Sequence, residues 1–159
     1  MVPTTFNLIR TVTRRSRRGV RHPDAVPEAQ LNLPRRIDGP AVAAQLACDL
    51  LRHHREEITL ALYLDDRHRL VGTAIVAVGW VQAARLSARP ILQGSQACRA
   101  TGVVLVRYRR WGAHSATEPE DRTFRTIATA CSRYGLVAVD HVVVVGDGRF
   151  TSAALGPAG

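Results

Sequence analysis

Residues that could bind a metal ion occur close together between positions 114 and 121. His114, Glu118 and Asp121 have ligand chemistry, and the two acids are three residues apart, which would put them on one face of a helix. Such a set could hold a metal ion that activates water for hydrolysis. The commoner origin of the same pattern is a solvated loop histidine followed by acids that complement a helix N-terminus. The sequence favours this second interpretation and leaves the first as an alternative.

Two other histidine positions have simple structural explanations. His141 follows Asp140 inside an apolar stretch, which is typical of a buried structural pair as well as of a catalytic one. His53 and His54 fall at the end of an expected helix, where a cation is favourable. Neither feature by itself predicts catalysis.

Basic residues form two clusters that could contact nucleic acid. The first is an arginine-rich N-terminal segment that could neutralise phosphates; its members include Arg14, Arg15, Arg17 and Arg18. The second is Arg107-Tyr108-Arg109-Arg110-Trp111, in which aromatic rings could stack on the bases of a single strand. The alternatives are a solvated tail for the first cluster and core packing of Trp111 in the second.

Composition limits the classes of protein that remain. All 22 basic residues are arginine and the net charge is +9; residues 1–55 hold ten arginines against four acids, so the excess lies at the front. The chain has no apolar run of the ~18–20 residues that a membrane span needs. Its three cysteines form no Cys-x-x-Cys pair, so neither a disulfide framework nor a zinc ribbon is indicated. We therefore expect a soluble cytoplasmic protein with reduced cysteines and no membrane partner.

The elements that would position these residues follow from periodicity and turn signals. Residues 1–36 mix arginine and proline without a regular apolar period and are predicted to be a flexible basic arm. Residues 37–159 are predicted to form one α/β domain with a mixed sheet flanked by helices. The predicted helices are 38–53 with Asp38 as N-cap, 90–100, and one from Glu118 that closes at Gly135; the predicted strands are 58–64, 70–78, 102–106, 137–139, 141–145 and 150–153.

Several of these segments together resemble the RadC group of JAB/MPN proteins, whose fold is similar to that of cytidine deaminases. Glu57 precedes Ile-Thr-Leu-Ala-Leu-Tyr-Leu-Asp at the spacing of the family's glutamate strand, and Gly79 and Arg89 agree with positions in the next segment. The closing family pattern Leu-Asp-His-Ile-Ile-Val-Gly resembles residues 139–146, followed by an aromatic residue and a serine. The resemblance covers about residues 40–155 with almost no gaps.

The family's metal ligands are missing from the matching segment. The family signature is His-x-His-Pro-Ser-Gly with an acidic ligand about ten residues later, preceded by a serine; two imidazoles and a carboxylate hold zinc, and the upstream glutamate takes a proton from the bound water. Here Arg107 and Arg109 replace the histidines. Asp121 is taken as the third ligand, which requires one residue more between Arg109 and Asp121 than the family signature has. Glu118 is then at the position of the family's serine. A guanidinium has no lone pair to donate and repels a cation, so we expect the family zinc to be absent.

Two functions follow from the resemblance. The favoured one is a catalytically inactive RadC-like module that binds DNA, RNA or a protein partner, including a second copy of itself, in DNA maintenance such as repair or in mobile elements. Its nucleic-acid contacts would be the arm together with Arg107, Arg109 and Arg110. The alternative is an unorthodox hydrolase that uses His114, Glu118 and Asp121, or the retained Glu57.

The vacated site itself allows a structural expectation. Residues 107 and 109 leave the same face of a strand, and carboxylates left facing each other without a cation would be costly. We therefore expect Arg107 or Arg109 to form a salt bridge with Asp121, Glu57 or Glu118. We also expect that replacing both arginines with histidine lowers stability rather than restoring hydrolysis, since the extra residue before Asp121 displaces the third ligand.

Overall fold

A computed structural model describes residues 36–79 and 86–154 of the chain. Nearly all of the predicted arm, residues 1–36, lies outside the described residues. The elements run α1 Pro40–Leu51, β1 Ile58–Leu64, β2 Leu70–Val78, α2 Ala88–Cys98, β3 Gly102–Arg109, α3 Glu118–Ser132, β4 Val137–Val145 and β5 Phe150–Ser152. The predicted α/β class with a mixed sheet is confirmed.

The five described strands form one sheet in the order β2-β1-β3-β4-β5, and among these strands only β3 and β4 are parallel. β1 and β2 form the predicted hairpin and β1 pairs with β3 in the antiparallel sense. The parallel β3–β4 pair needs a crossover connection, and α3 supplies it. This arrangement brings the start of β1 and the end of β3 to the same end of the sheet.

Both faces of the sheet are covered, which explains why β1 and β3 are buried at every position. One apolar cluster packs α1 against the face that carries Leu62, Val104 and Val142. The other packs α2 and α3 against the opposite face, which carries Tyr63 and Leu105. Among the described residues, no helix is long and apolar enough to cross a membrane.

Several predicted boundaries differ from the observed ones by a few residues. Gly39, not Asp38, is the N-cap of α1, because Asp38 instead pairs with Arg36 at 2.6 Å. α1 ends at Leu51, two residues before His53, and α3 ends at Ser132 and turns through Gly135, whose φ is +77°. β3 continues past Val106 to Arg109 because β1 pairs with it as far as Tyr108 and β4 as far as Arg109.

The two short strands predicted at 137–139 and 141–145 are one strand, β4. Its register slips by one residue where Val103 pairs with Ala138 and Val104 with Asp140, so Val139 is the extra residue of a bulge. Asp140 then accepts hydrogen bonds from the Ser152 hydroxyl at 2.6 Å and the Ala154 N–H at 3.1 Å. These side-chain bonds add to the backbone pairing of three residues that holds β5 against β4.

Trp111, whose core packing was one of the sequence-based alternatives, is on the surface with 71% of its area exposed. The three cysteines are free thiols; Cys131 is buried in the core, and Cys48 and Cys98 are half-buried. Burial raises the pKa of the Cys131 thiol above its ordinary value, which fits an unreactive structural cysteine.

Gly94 is the position in α2 where the close approach of Tyr63 requires glycine. A Cβ there would lie 2.6 Å from the Tyr63 Cζ, and the Tyr63 hydroxyl donates a hydrogen bond of 2.8 Å to the Ile91 carbonyl. Gly94→Ala is expected to destabilise the fold by about 1–3 kcal/mol, because the Tyr63 ring must move and its hydroxyl then loses the hydrogen bond to the Ile91 carbonyl. Urea unfolding measures this, with Gln93→Ala on the exposed neighbour as control. Equal stability of the two variants would contradict the packing described here.

Candidate functional site

The last residues of β3 direct two arginines at the same neighbour. Arg107 and Arg109 are two residues apart in the strand, so their side chains leave one face of the sheet, the face that α3 covers. Only 5% of Arg107 and 8% of Arg109 is exposed. Arginine is rarely buried to this extent unless its charge is paired.

Two glutamates pair with these arginines, and the four residues are here called the ion-pair cluster. Arg107 Nη2 lies 2.8 Å from Glu57 Oε2, and Arg107 Nε lies 2.8 Å from Glu120 Oε1. Arg109 Nε lies 3.4 Å from Glu57 Oε1, and Arg109 Nη2 contacts Glu120 Oε1. Each cation therefore contacts both anions, and the cluster has no net formal charge.

The expected salt bridge between these arginines and Glu57 is thus present. The second carboxylate, however, is Glu120, which the sequence analysis did not select. Glu118 is exposed and pairs with Arg122 at 3.0 Å. Asp121 lies outside the cluster and lines a groove between α3 and β5 together with His141, Thr151 and Ser152.

Glu120 is oriented by the start of α3. Its Oε2 accepts a 2.6 Å hydrogen bond from the Thr117 N–H, and the Thr117 hydroxyl accepts one from the Glu120 N–H, which together form a capping box. This leaves Oε1 to face the arginines. The sequence signal was the Thr-x-x-Glu spacing of Thr117 and Glu120, which identifies the glutamate that turns back toward the chain.

The surroundings of Glu120 keep it ionised. Burial by itself would raise its pKa, but the hydrogen bond from Thr117 and the guanidinium groups of Arg109 and Arg107 outweigh burial and hold the pKa below its ordinary value. The carboxylate is therefore charged at neutral pH, as the paired arginines require.

Arg109 also fixes the loop between β3 and α3. Its Nη1 donates to the Ala113 carbonyl at 2.9 Å and to the Ser115 carbonyl at 3.1 Å. The Thr151 hydroxyl donates to the carbonyl of the residue between them, His114, at 2.6 Å. Three successive carbonyls of this loop are thus held by side chains of the sheet.

Arg110 and Trp111 occupy the exposed part of the same loop. The Arg110 guanidinium lies 5.3 Å from the centre of the Trp111 ring, within the range of a cation–π contact. Arg110 is exposed, whereas Arg107 and Arg109 are buried and paired with carboxylates. Of these three arginines, Arg110 is therefore the one whose guanidinium is available to a partner.

His141 is buried on β4, with 7% of its area exposed, and its ring stacks on Phe124 at 4.8 Å between centroids. Burial is the main cause that lowers the pKa of His141; the carboxylates of Asp121, Glu120 and Asp140 oppose it only in part. The imidazole is therefore neutral at pH 7.

The chain matches known proteins over the same region. The family model described as RadC-like JAB domain matches residues 37–156. This chain belongs to the RadC-like JAB domain family. A UPF0758 protein of Streptococcus gordonii is 28% identical over 101 residues, which cover 64% of this chain and 45% of that protein. Another, of Photobacterium profundum, is 28% identical over 116 residues, 73% of this chain and 51% of that protein. The chain thus spans about half the length of the curated relatives it matches.

The position of Glu120 changes how the RadC-like signature is counted in this chain. Taking Asp121 as the acidic position required one extra residue after Arg109; Glu120 is one residue earlier, so no extra residue is needed. The serine position then moves from Glu118 to Thr117, which also carries a hydroxyl. The residues of the ion-pair cluster follow the order of the family signature: Glu57, Arg107, Arg109 and Glu120.

The RadC-like family implies a zinc ion at this position, and the residues present do not fit one. Both imidazole positions hold guanidinium groups, which offer no lone pair, and both carboxylates are engaged by those groups. In residues 36–79 and 86–154, no three His, Cys, Asp or Glu side chains are grouped so as to hold a metal ion. The substitute site His114–Glu118–Asp121 is therefore not assembled in the structure.

The ion-pair cluster should make a large, pH-dependent contribution to stability. Glu120→Gln keeps an acceptor for the Thr117 N–H but removes the charge, so it leaves two buried cations with one anion; we expect a loss of about 3–5 kcal/mol. Because the pKa of Glu120 is lowered on folding, its contribution is complete above its ordinary pKa and is lost as the pH falls through the folded value. Urea unfolding from pH 7 downwards measures both effects.

Asp121→Asn is the matched control, since Asp121 is the next residue of the same helix turn and lies outside the cluster. It should cost no more than about 1 kcal/mol through the helix dipole. One contradicting outcome is a similar loss of unfolding free energy in the two variants; another is a loss for Glu120→Gln that stays the same in acid. Either result would show that the charge of Glu120 in the ion-pair cluster is not the source of the stability.

Proposed function

We propose that this chain is a RadC-like JAB domain that does not carry out the zinc-dependent hydrolysis of the family signature and instead binds single-stranded nucleic acid. The observation that carries the first part is the ion-pair cluster. The guanidinium groups of the two arginines contact the carboxylates of Glu57 and Glu120. These glutamates match the general base and the acidic ligand of the family signature. Because Glu57 contacts both guanidinium groups, it is poorly suited to accept a proton from water.

The second part is supported by the surface next to the cluster. Trp111 is exposed, stacks with the Arg110 guanidinium, and lies on a loop held in place by Arg109. An exposed indole beside an exposed guanidinium can stack on a base and contact the adjoining phosphate. The arginines of the N-terminal residues 1–36 add positive charge that would strengthen phosphate binding at low salt. A role in DNA maintenance or mobile elements, suggested by the family resemblance, belongs to this proposal.

The described residues support a hydrolase less well than they support a binding module. Its rebuilt ligand set is not assembled, and its other option, Glu57, is engaged by Arg107 and Arg109. A protein partner or a second copy of the chain would use the same exposed loop, and the binding experiment below distinguishes it from nucleic acid.

Zinc addition tests the loss of the metal site. The native chain purified without chelator should hold no stoichiometric zinc by elemental mass spectrometry, and added zinc should leave its melting temperature unchanged, because two guanidinium groups occupy the ligand positions. One zinc per chain at the cluster would overturn the proposal.

The double variant Arg107→His, Arg109→His is the comparison for that experiment. Without metal it should be less stable than the native chain, since Glu57 and Glu120 would then face each other without a cation. The sequence analysis expected a displaced Asp121 to prevent zinc binding in this variant. Glu120 faces the two positions directly and could serve as the acidic ligand instead. Added zinc should therefore raise the melting temperature of this variant more than that of the native chain. A variant that is as stable as the native protein would show that the arginines do not neutralise the site.

Fluorescence anisotropy with single-stranded DNA and RNA tests the binding. We expect weak binding that falls as salt rises; Trp111→Ala should weaken it by about 1–3 kcal/mol through lost stacking, and deletion of residues 1–21 should remove most of the salt-dependent part. Arg133→Ala is the control, because Arg133 is exposed at the opposite end of the sheet. If the native chain binds neither DNA nor RNA, or if Trp111→Ala and the deletion bind as tightly as the native chain, the loop and the arm are not a nucleic-acid site and a protein partner becomes the better candidate.

A further inference from the structure

A small cavity lies between the ion-pair cluster and β4. It has a volume of about 20 Å³, and its polar lining residues are Thr59 of β1, Arg107 of β3, Glu120 and Thr123 of α3, and His141 of β4. A cavity needs roughly 10–15 Å³ on this measure to hold one water molecule, so this one has room for a single molecule of that size.

Two polar side-chain atoms among the described residues are buried without a hydrogen-bond partner, and both belong to residues that line this cavity. They are Arg107 Nε and His141 Nδ1. Arg107 Nε is 2.8 Å from Glu120 Oε1, which satisfies an ion-pair distance, but its N–H does not point at that oxygen. The direction of the N–H matters more than the distance, because a hydrogen bond weakens steeply when it is bent. A buried polar atom without a partner is costly, and two around one cavity point to a shared ligand.

The chemistry of the two atoms selects the ligand. Arg107 Nε can only donate a hydrogen bond, whereas a neutral imidazole can accept one at Nδ1. The occupant must therefore accept from one side and donate to the other. A metal ion or ammonium cannot accept the hydrogen bond from Arg107 Nε, a halide cannot donate one to His141 Nδ1, and an apolar group would leave both atoms without partners. Water meets both conditions.

We propose that the cavity is a binding site for one ordered water molecule that accepts a hydrogen bond from Arg107 Nε and donates one to His141 Nδ1. The water links the ion-pair cluster to β4, which the ion pairs themselves do not reach. It also fixes the histidine tautomer, since Nδ1 acts as acceptor and the ring proton is on Nε2. The buried imidazole is neutral at pH 7 because burial and the nearby Arg107 guanidinium lower its pKa, so the acceptor lone pair is available.

The site is independent of the proposed nucleic-acid binding, and two measurements on the native chain test it. A high-resolution crystal structure should show a density peak within hydrogen-bond distance of both Arg107 Nε and His141 Nδ1. Soaking with bromide separates water from a halide, because an anomalous signal at that peak would identify an anion and overturn the proposal. A cavity without density, or an occupant that touches only one of the two atoms, would also overturn it.

Nitrogen-15 spectroscopy of the imidazoles provides the second measurement. His141 should be in the Nε2–H tautomer at neutral pH, with a hydrogen-bonded, unprotonated Nδ1; an Nδ1–H tautomer would contradict the proposal. His141→Phe keeps the ring that stacks on Phe124 but removes the acceptor, so the density peak should be lost or displaced in that variant. The exposed His53 of the same chain supplies the reference spectrum of a solvated imidazole.

Discussion

Two guanidinium groups at the end of β3 are removed from water, and most of the local structure follows from that constraint. A buried charge without a partner is among the most destabilising features a fold can contain. The cations therefore need carboxylates that reach them from outside the strand. Glu57, just before β1, and Glu120, in the first turn of α3, meet this need. The pairing fixes where β1 begins and how α3 starts, because a shift of either would separate charges that water cannot reach.

The cluster also explains how Glu57 and Glu120 can face each other in this JAB fold without a metal ion between them. In the family signature, two neutral imidazoles and one divalent cation face the same pair of acidic positions. Two guanidinium groups carry the same total charge as that set, so the carboxylates remain neutralised. The chemistry is different, because a guanidinium has no open coordination position at which water could be activated. Electrostatic balance at these carboxylates therefore does not require a metal ion.

The cluster and the surface are connected through a single side chain. Arg109 contacts both glutamates and also holds the carbonyls of Ala113 and Ser115, so the buried ion pairs determine the path of the loop that carries Arg110 and Trp111. A rigid loop loses less conformational entropy when a partner binds than a mobile one does. The residues that replace the metal ligands thus give the exposed Arg110–Trp111 pair a fixed position.

The sequence by itself determined which helices and strands form and that two arginines share one face of β3. Apolar periodicity predicted three helices and the strands of a mixed sheet, and the spacing of Arg107 and Arg109 placed both on one face, because side chains alternate along a strand. For Glu120 the sequence held a local signal, the Thr-x-x-Glu spacing of a capping box, but Asp121 and Glu118 are equally acidic neighbours and the spacing does not show that Glu120 contacts Arg107 and Arg109. Nor did it place Trp111 on the surface. The tertiary structure decided these points, because the partners of a buried charge, the exposure of an aromatic ring and the shape of a one-water cavity depend on contacts between residues far apart in the chain.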